Sequence, residues 1–200
     1  GSQALWDPMC GSGTIAIEAS YIALKKAALI HRKKDQFSLE LFKDFDRQLW
    51  RECQEELQKQ KEEATSAPIY ASDINESYVK DAQKNSLRAR VERHISFSTE
   101  EVTSIKKKSP TGMIVTNLPY GKRIGENESL KTLYKEMGDH LKNNFSGWKA
   151  CLLAKEDSPW KFIGLKPNKK INLLNGDIKT KLLIFDLYKG SKRPSEKSKG

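Results

Sequence analysis

Ala4-Leu5-Trp6-Asp7-Pro8-Met9-Cys10-Gly11-Ser12-Gly13-Thr14 decides the fold. A short apolar run stops at Asp-Pro, two glycines follow, and Ile15 to Leu24 then continues as a mostly apolar stretch. This pattern predicts strand, glycine turn, helix. The same order recurs. Ile69-Tyr70-Ala71-Ser72 reads as a strand that ends at Asp73, and Asn75 to Val91 as an amphipathic helix through Val79, Ala82, Leu87 and Val91. His94-Ile95-Ser96-Phe97 begins a third strand, and Met113-Ile114-Val115-Thr116 is a fourth that runs into Asn117-Leu118-Pro119-Tyr120-Gly121. Leu130 to Phe145 is helical and Trp148 to Ala154 is a fifth strand. Strands alternating with helices predict a mostly parallel sheet covered on both faces. Near the end, Lys170–Leu174 and Lys181–Leu187 alternate around Asn175-Gly176-Asp177, which predicts an antiparallel hairpin.

Two segments interrupt this alternation. Residues 25–41 read as an irregular excursion. In Phe42 to Ala64, Phe42, Phe45, Leu49, Cys53 and Leu57 fall three or four apart on one helical face. Together, residues 25–64 form a helical insertion in a domain spanning 1–189. Ser158 to Leu165 reads as a short helix, Lys106 to Gly112 as a loop, and residues 190–200 as a basic flexible tail.

With 200 residues, of which 37% are hydrophobic and 31% charged, the chain has the length of about one domain and enough apolar content to fold. No apolar run reaches the ~18–20 residues of a membrane span, and no short period recurs. The net charge is +10 and the pI near 9.4, with eleven Lys/Arg against three Asp/Glu over residues 160–200. That field favours a polyanionic partner. Cys10, Cys53 and Cys151 are odd in number and far apart. They argue against a disulfide framework or a metal site and for a reducing, cytoplasmic setting.

In parallel sheets, ligands bind beyond the carboxyl ends of the strands. Three such ends carry chemistry, and the reading requires them to meet in one crevice. At the first, Gly11 and Gly13 let a ligand approach the backbone, and the following helix offers unpaired amides. The loop lacks both the Lys-Ser/Thr of a phosphate loop and the third glycine of the dinucleotide fingerprint. The second end is Asp73, placed to accept ribose hydroxyls. It stands 66 residues after Asp7, against the usual ~20, a surplus that the insertion explains. A cap on the helix from Asn75 is the competing role. At the third, Asn117 Oδ1 and the Leu118 carbonyl supply two acceptors for an exocyclic amine. Tyr120 offers a stacking face, and Pro119 restricts the backbone.

Asp7 to Thr14 together with Asn117 to Gly121 resembles the class I S-adenosylmethionine-dependent RNA methyltransferases, and within them the THUMP-associated guanine-N2 type. Phe45-Asp46-Arg47-Gln48-Leu49-Trp50 and Leu174 to Thr180 are similar to the bacterial 23S rRNA group. The resemblance runs from Leu5 to about Lys189 and implies a seven-stranded Rossmann-like sheet that binds S-adenosylmethionine. Asp7, Met9, Cys10, Gly11, Ser12, Gly13 and Thr14 would hold the methionine part. Asp73 would take the ribose, Ile74 would lie against the adenine, and Glu101 would sit near the adenine amine. Asn117, Leu118, Pro119 and Tyr120 would hold the target base, with Asn117 also beside the cofactor. The family pattern is usually Asn-Pro-Pro-Tyr or Asp-Pro-Pro-Tyr, and Leu118 replaces its first proline. The family also carries a THUMP RNA-binding domain before the catalytic one, so the resemblance implies that this chain is a fragment without it.

The implied reaction is displacement at an activated methyl by a guanine N2 amine, with no metal. A duplex base must be extruded to react. Lys106, Lys107, Lys108, Lys122 and Arg123 are expected to flank the base site and contact RNA phosphates, with Lys170, Lys179 and Lys181 further out. His31, His94 and His140 lie outside the three motifs. rRNA is the first substrate expected. A tRNA guanine-N2 enzyme, an adenine-N6 DNA methyltransferase and a non-catalytic nucleic-acid scaffold are the alternatives.

Overall fold

A computed structural model describes residues 3–27, 37–60, 62, 67–120 and 126–188. Seven strands form a mixed sheet: β1 (Ala4–Asp7), β2 (Ile69–Asp73), β3 (Ile95–Thr99), β4 (Gly112–Asn117), β5 (Trp148–Lys155), β6 (Lys169–Asn175) and β7 (Ile178–Asp186). Their order is β3-β2-β1-β4-β5-β7-β6. The helices are α1 (Thr14–Ala23), α2 (Arg47–Gln60), α3 (Glu76–Arg88) and α4 (Glu126–Asn144). The chain divides into two compact units, Gly1–Val102 and Thr103–Gly200.

In the first unit β1, β2 and β3 are parallel neighbours, with Leu5 opposite Ile69 and Ile69 opposite Ile95. Helices α1 and α3 pack on them. Small side chains set the spacing: Ala16, Ala71 and Ala82 are fully buried beside Cys10, Leu24 and Val91. Lys26 is buried and donates from Nζ to the Ala89 and Arg90 carbonyls at 2.8 and 3.1 Å, closing the C-terminal end of α3.

Helix α2 departs from expectation. It starts at Arg47 rather than Phe42, because the Asp46 carboxylate accepts from the Gln48 and Leu49 amides at 2.8 and 3.0 Å and caps it there. Phe45 and Phe37 instead meet the Trp50 ring. The predicted apolar stripe exists, yet none of the helix's residues is buried, and Leu49 and Leu57 remain exposed. His31 and the basic tail lie outside the described residues.

In the second unit β4 and β5 are parallel, β7 runs antiparallel to β5, and β6 antiparallel to β7. The hairpin turns at Gly176 (φ 59°), with Asn175 opposite Ile178. The core holds Trp148, Tyr134, Phe145, Met137, Leu141 and Phe185. His140 anchors the chain before β4 to α4 through a 2.8 Å contact between Nε2 and the Ile105 carbonyl. That is a structural role, in keeping with its absence from the motifs. Among the described residues, no helix is long and apolar enough to cross a membrane, and no group of three His, Cys, Asp or Glu is placed to hold a metal ion.

Candidate functional site

In the first unit, the loop after β1 is held by the end of β2. Cys10 N–H donates to the Ser72 carbonyl (2.9 Å), Gly11 N–H to Asp73 Oδ2 (3.0 Å), and Gly13 N–H back to the Cys10 carbonyl (2.8 Å). Asp7 is buried, and its Oδ1 lies 3.4 Å from the Met9 amide. Gly11 has φ 50° and only open space where a Cβ would stand, so no side chain keeps a ligand from the backbone there. Gly13 has φ 86°, and a Cβ there would come within 2.9 Å of Ala82 Cβ, so glycine also sets the α1–α3 distance. Asn85 Nδ2 donates to the Ser12 carbonyl at 3.0 Å, and Ser12 Oγ lies 3.3 Å from Thr14 Oγ1. Helix α1 then starts with no side chain capping its first amides.

Asp73 is 8% exposed, and its two oxygens serve different backbone groups. Oδ2 takes Gly11 N–H, and Oδ1 takes Asn75 N–H at 3.0 Å. The helix cap is Asn75, which accepts from the Ser77 amide at 2.9 Å. Asp73 is therefore the tie between two strand ends rather than the cap. A carboxylate has about four lone-pair positions, so it keeps acceptor capacity toward solvent. Ile74 beside it is 70% exposed, an apolar surface at the strand end. Glu100 N–H donates to the Asp73 carbonyl at 3.1 Å, while the Glu100 carboxylate accepts from Ser98 Oγ. Glu101 is exposed one residue on. Burial, reinforced by the charges of Asp7 and Asp73, pushes the Cys10 thiol pKa up to about 12. Cys10 is thus a protonated wall, not a nucleophile.

In the second unit, Asn117 ends β4 and is exposed, whereas Leu118 is buried. Leu118 N–H donates to the Leu153 carbonyl at 2.9 Å, extending the β4–β5 ladder by one residue. A proline in its place would lose that bond. Among the described residues, the Leu118 carbonyl accepts no hydrogen bond. The Tyr120 hydroxyl donates to Asn117 Oδ1, leaving that oxygen one further lone pair.

Sequence reasoning missed Tyr134. This buried α4 residue donates its hydroxyl to the Pro119 carbonyl at 2.7 Å and so fixes the turn from below. Burial pushes its pKa up, the neighbouring Ser158 hydroxyl pulls it down, and nearby Tyr120 raises it further. In the sequence it looks like any aromatic on a helix face. Thr116 Oγ1 is buried with no hydrogen-bond partner among the described residues.

Three of the five residues expected to flank the base site, Lys106 to Lys108, come before the start of β4, the end opposite Asn117. Lys107 Nζ donates to the Ser146 carbonyl at 3.2 Å, beside the start of β5. Asn117 is at the other end of a six-residue strand, roughly 17 Å away at ~3.3 Å per residue. Adjacency in the chain hides which end of a strand a loop serves. Lys181 is engaged by Glu156. Lys122 and Arg123 lie outside the described residues.

The family model described as "RMKL-like, methyltransferase domain" (UPF0020) matches residues 1–184. The chain belongs to that family. Among the family's relatives, the ribosomal RNA large subunit methyltransferase K/L of Psychromonas ingrahamii is 35% identical over 96% of this chain and 26% of its own length. A protein of Clostridium difficile 630 described as a possible methylase superposes with a TM-score of 0.83 at 33% identity, over 96% of this chain and 49% of that one. SMU.472, solved in complex with SAH (S-adenosylhomocysteine), gives 0.82 at 26% identity over the same shares. The chain therefore spans about a quarter of that K/L relative and half of each solved protein. The RMKL-like methyltransferase domain has the seven-stranded sheet expected from the sequence.

Proposed function

We propose that this chain is the catalytic part of an S-adenosylmethionine-dependent RNA methyltransferase acting on the N2 amine of a guanine, with 23S rRNA as first substrate. The observation that carries the reading is the Gly11–Asp73 hydrogen bond. It supports a cofactor site because it holds a bare, positive-φ loop beside a nearly buried carboxylate that can still accept. Residues 1–189 form the domain, with 25–64 as its insertion and 190–200 as a tail.

The residues present fit the cofactor. Asp73 has lone pairs for ribose hydroxyls, Ile74 offers an apolar face for adenine, and Asp7, Met9, Cys10, Gly11, Ser12, Gly13 and Thr14 line the methionine side. Glu101 is assigned to the adenine amine. Bound S-adenosylmethionine supplies an activated sulfonium methyl. The chain's own task is to make a poor nucleophile attack. An aromatic amine delocalises its lone pair into the ring. Asn117 Oδ1 and the Leu118 carbonyl each accept one amine hydrogen, which favours a pyramidal nitrogen and aims its lone pair. Acceptors fixed before the reaction cost no reorganisation during it. Pro119 and Tyr134 hold them in place, and the Tyr120 ring stacks on the base. Holding amine and methyl in attack geometry is worth up to ~7–11 kcal/mol.

The test is calorimetry with SAH, followed by incubation with labelled S-adenosylmethionine and rRNA, tRNA or DNA, digestion, and identification of the labelled nucleoside. N2-methylguanosine from rRNA is the expected product. N6-methyladenine from DNA would overturn the substrate assignment, and no SAH binding would overturn the enzyme.

A further inference from the structure

The second unit carries a basic, aromatic surface of which the sequence reading used only Lys170. Between Ser158 and Gly176 there are four lysines and no Asp or Glu. Trp160 and Phe162 belong to a short 3-10 turn, Trp160–Ile163, that leaves the C-terminal end of β5. Lys170 Nζ stands 4.8 Å from the centre of the Trp160 ring, and Lys131 Nζ 5.4 Å from that of Phe162. Phe162 is 47% exposed, and Lys161, Lys166, Lys169 and Lys170 are all exposed. None of these four lysines makes an ion pair among the described residues. By contrast Lys131, Lys135, Lys149, Lys155 and Lys181 in the same unit are each paired with a carboxylate.

The surface is rigidly mounted. A Cβ on Gly138 of α4 would fall 1.9 Å from the Ile163 carbonyl, so that glycine lets the turn dock directly on the helix. Ile163 is buried in the contact. The surface also adjoins the base-holding segment. Tyr134 donates to the Pro119 carbonyl and has Ser158 as its other neighbour, two residues before Trp160. The register agrees: Lys170 lies opposite Leu183, which lies opposite Leu152, next to the Leu153 whose carbonyl holds Leu118.

We infer that Trp160, Lys161, Phe162, Lys166, Lys169 and Lys170 bind the unpaired RNA strand flanking the target base. This rests on the methyltransferase reading and names where that enzyme grips its substrate. An indole with an ammonium at its face suits a nucleotide, since a base can stack while its phosphate meets the charge. Stacking platforms interleaved with cations are how single strands are held without sequence readout. An acidic protein would use the charges but not the ring.

The experiment measures anisotropy of a labelled single-stranded RNA oligonucleotide at 50–200 mM salt, with SAH calorimetry on every variant. Trp160→Ala should weaken RNA binding about tenfold, and Trp160→Phe should restore most of it. Lys161→Ala/Lys169→Ala should make the slope of log affinity against log salt shallower by about 1.4, two phosphate contacts at ~0.7 each. SAH affinity should be unchanged throughout, which shows that the variants are folded. Wild-type RNA binding by both variants overturns the inference. So does loss on lysine substitution alone with Trp160→Ala neutral, which marks a plain polyanion surface, or equal competition by polyglutamate, which marks an acidic protein partner. If the unaltered protein binds RNA but not SAH, the methyltransferase reading fails while the surface stands.

Discussion

Two strand ends carry the proposed chemistry, and they are built on opposite plans. The end of β2 is closed on itself: Asp73 spends one lone pair on each of two backbone amides, one of them 62 residues away, and Cys10 and Gly13 complete the loop. The end of β4 keeps its acceptors outward. Among the described residues, the Asn117 side chain is tied to Tyr120, three residues on, and the Leu118 carbonyl accepts no hydrogen bond. Support for that segment comes from behind, through Leu153 and Tyr134. The proposed binding loop is thus already shaped without a ligand, while the segment proposed to grip a reacting group leaves that grip unspent.

Substitutions can separate the two plans. Asn117→Ala should cut methyl transfer by about 10²–10³-fold while SAH affinity stays within error; equal activity would remove the acceptor role. Asp73→Ala should act on the other side. SAH binding should weaken by about tenfold to a hundredfold, and unfolding in urea should show a loss of about 1–3 kcal/mol, because the Gly11 and Asn75 amides lose their charged acceptor. A variant that loses stability but binds SAH normally would make Asp73 a brace alone. Leu118→Pro should lower stability by about 1–2 kcal/mol through loss of the bond to Leu153. It should retain transfer, because the carbonyl remains. Loss of transfer with full stability would show that the side chain, not the backbone, matters there. The smallest effect belongs to Thr116→Val, which removes a buried hydroxyl that has no partner among the described residues; stability should be unchanged or slightly raised, and a clear loss would reveal a partner for Oγ1.

Much of this was legible in the chain. Apolar runs that stop at Asp or Asn predict β1, β2 and β4, because a buried parallel strand and the turn that ends it leave composition signals over a few residues. Asn175-Gly176-Asp177 marks its hairpin for the same local reason. What stayed hidden depends on distance in space. The spacing of Phe42 and Phe45 fits a helix, and only the Asp46 cap shows that it starts later. Lys106–Lys108 looked close to Asn117 because the connecting strand has no direction until it is folded. Tyr134 and Trp160 carry no signal of their own in the sequence, since a hydroxyl aimed at a carbonyl and a ring left half open write the same letter as a core aromatic.

The bond between Gly11 and Asp73 bridges a stretch that includes all of α2, yet the pairing of β1 with β2 alone brings its two ends together. Helix α1, within the same stretch, is fixed in the core by Ala16 and Ser20, whereas α2 buries none of its residues, so α2 is the part whose length neither strand pairing nor core packing dictates.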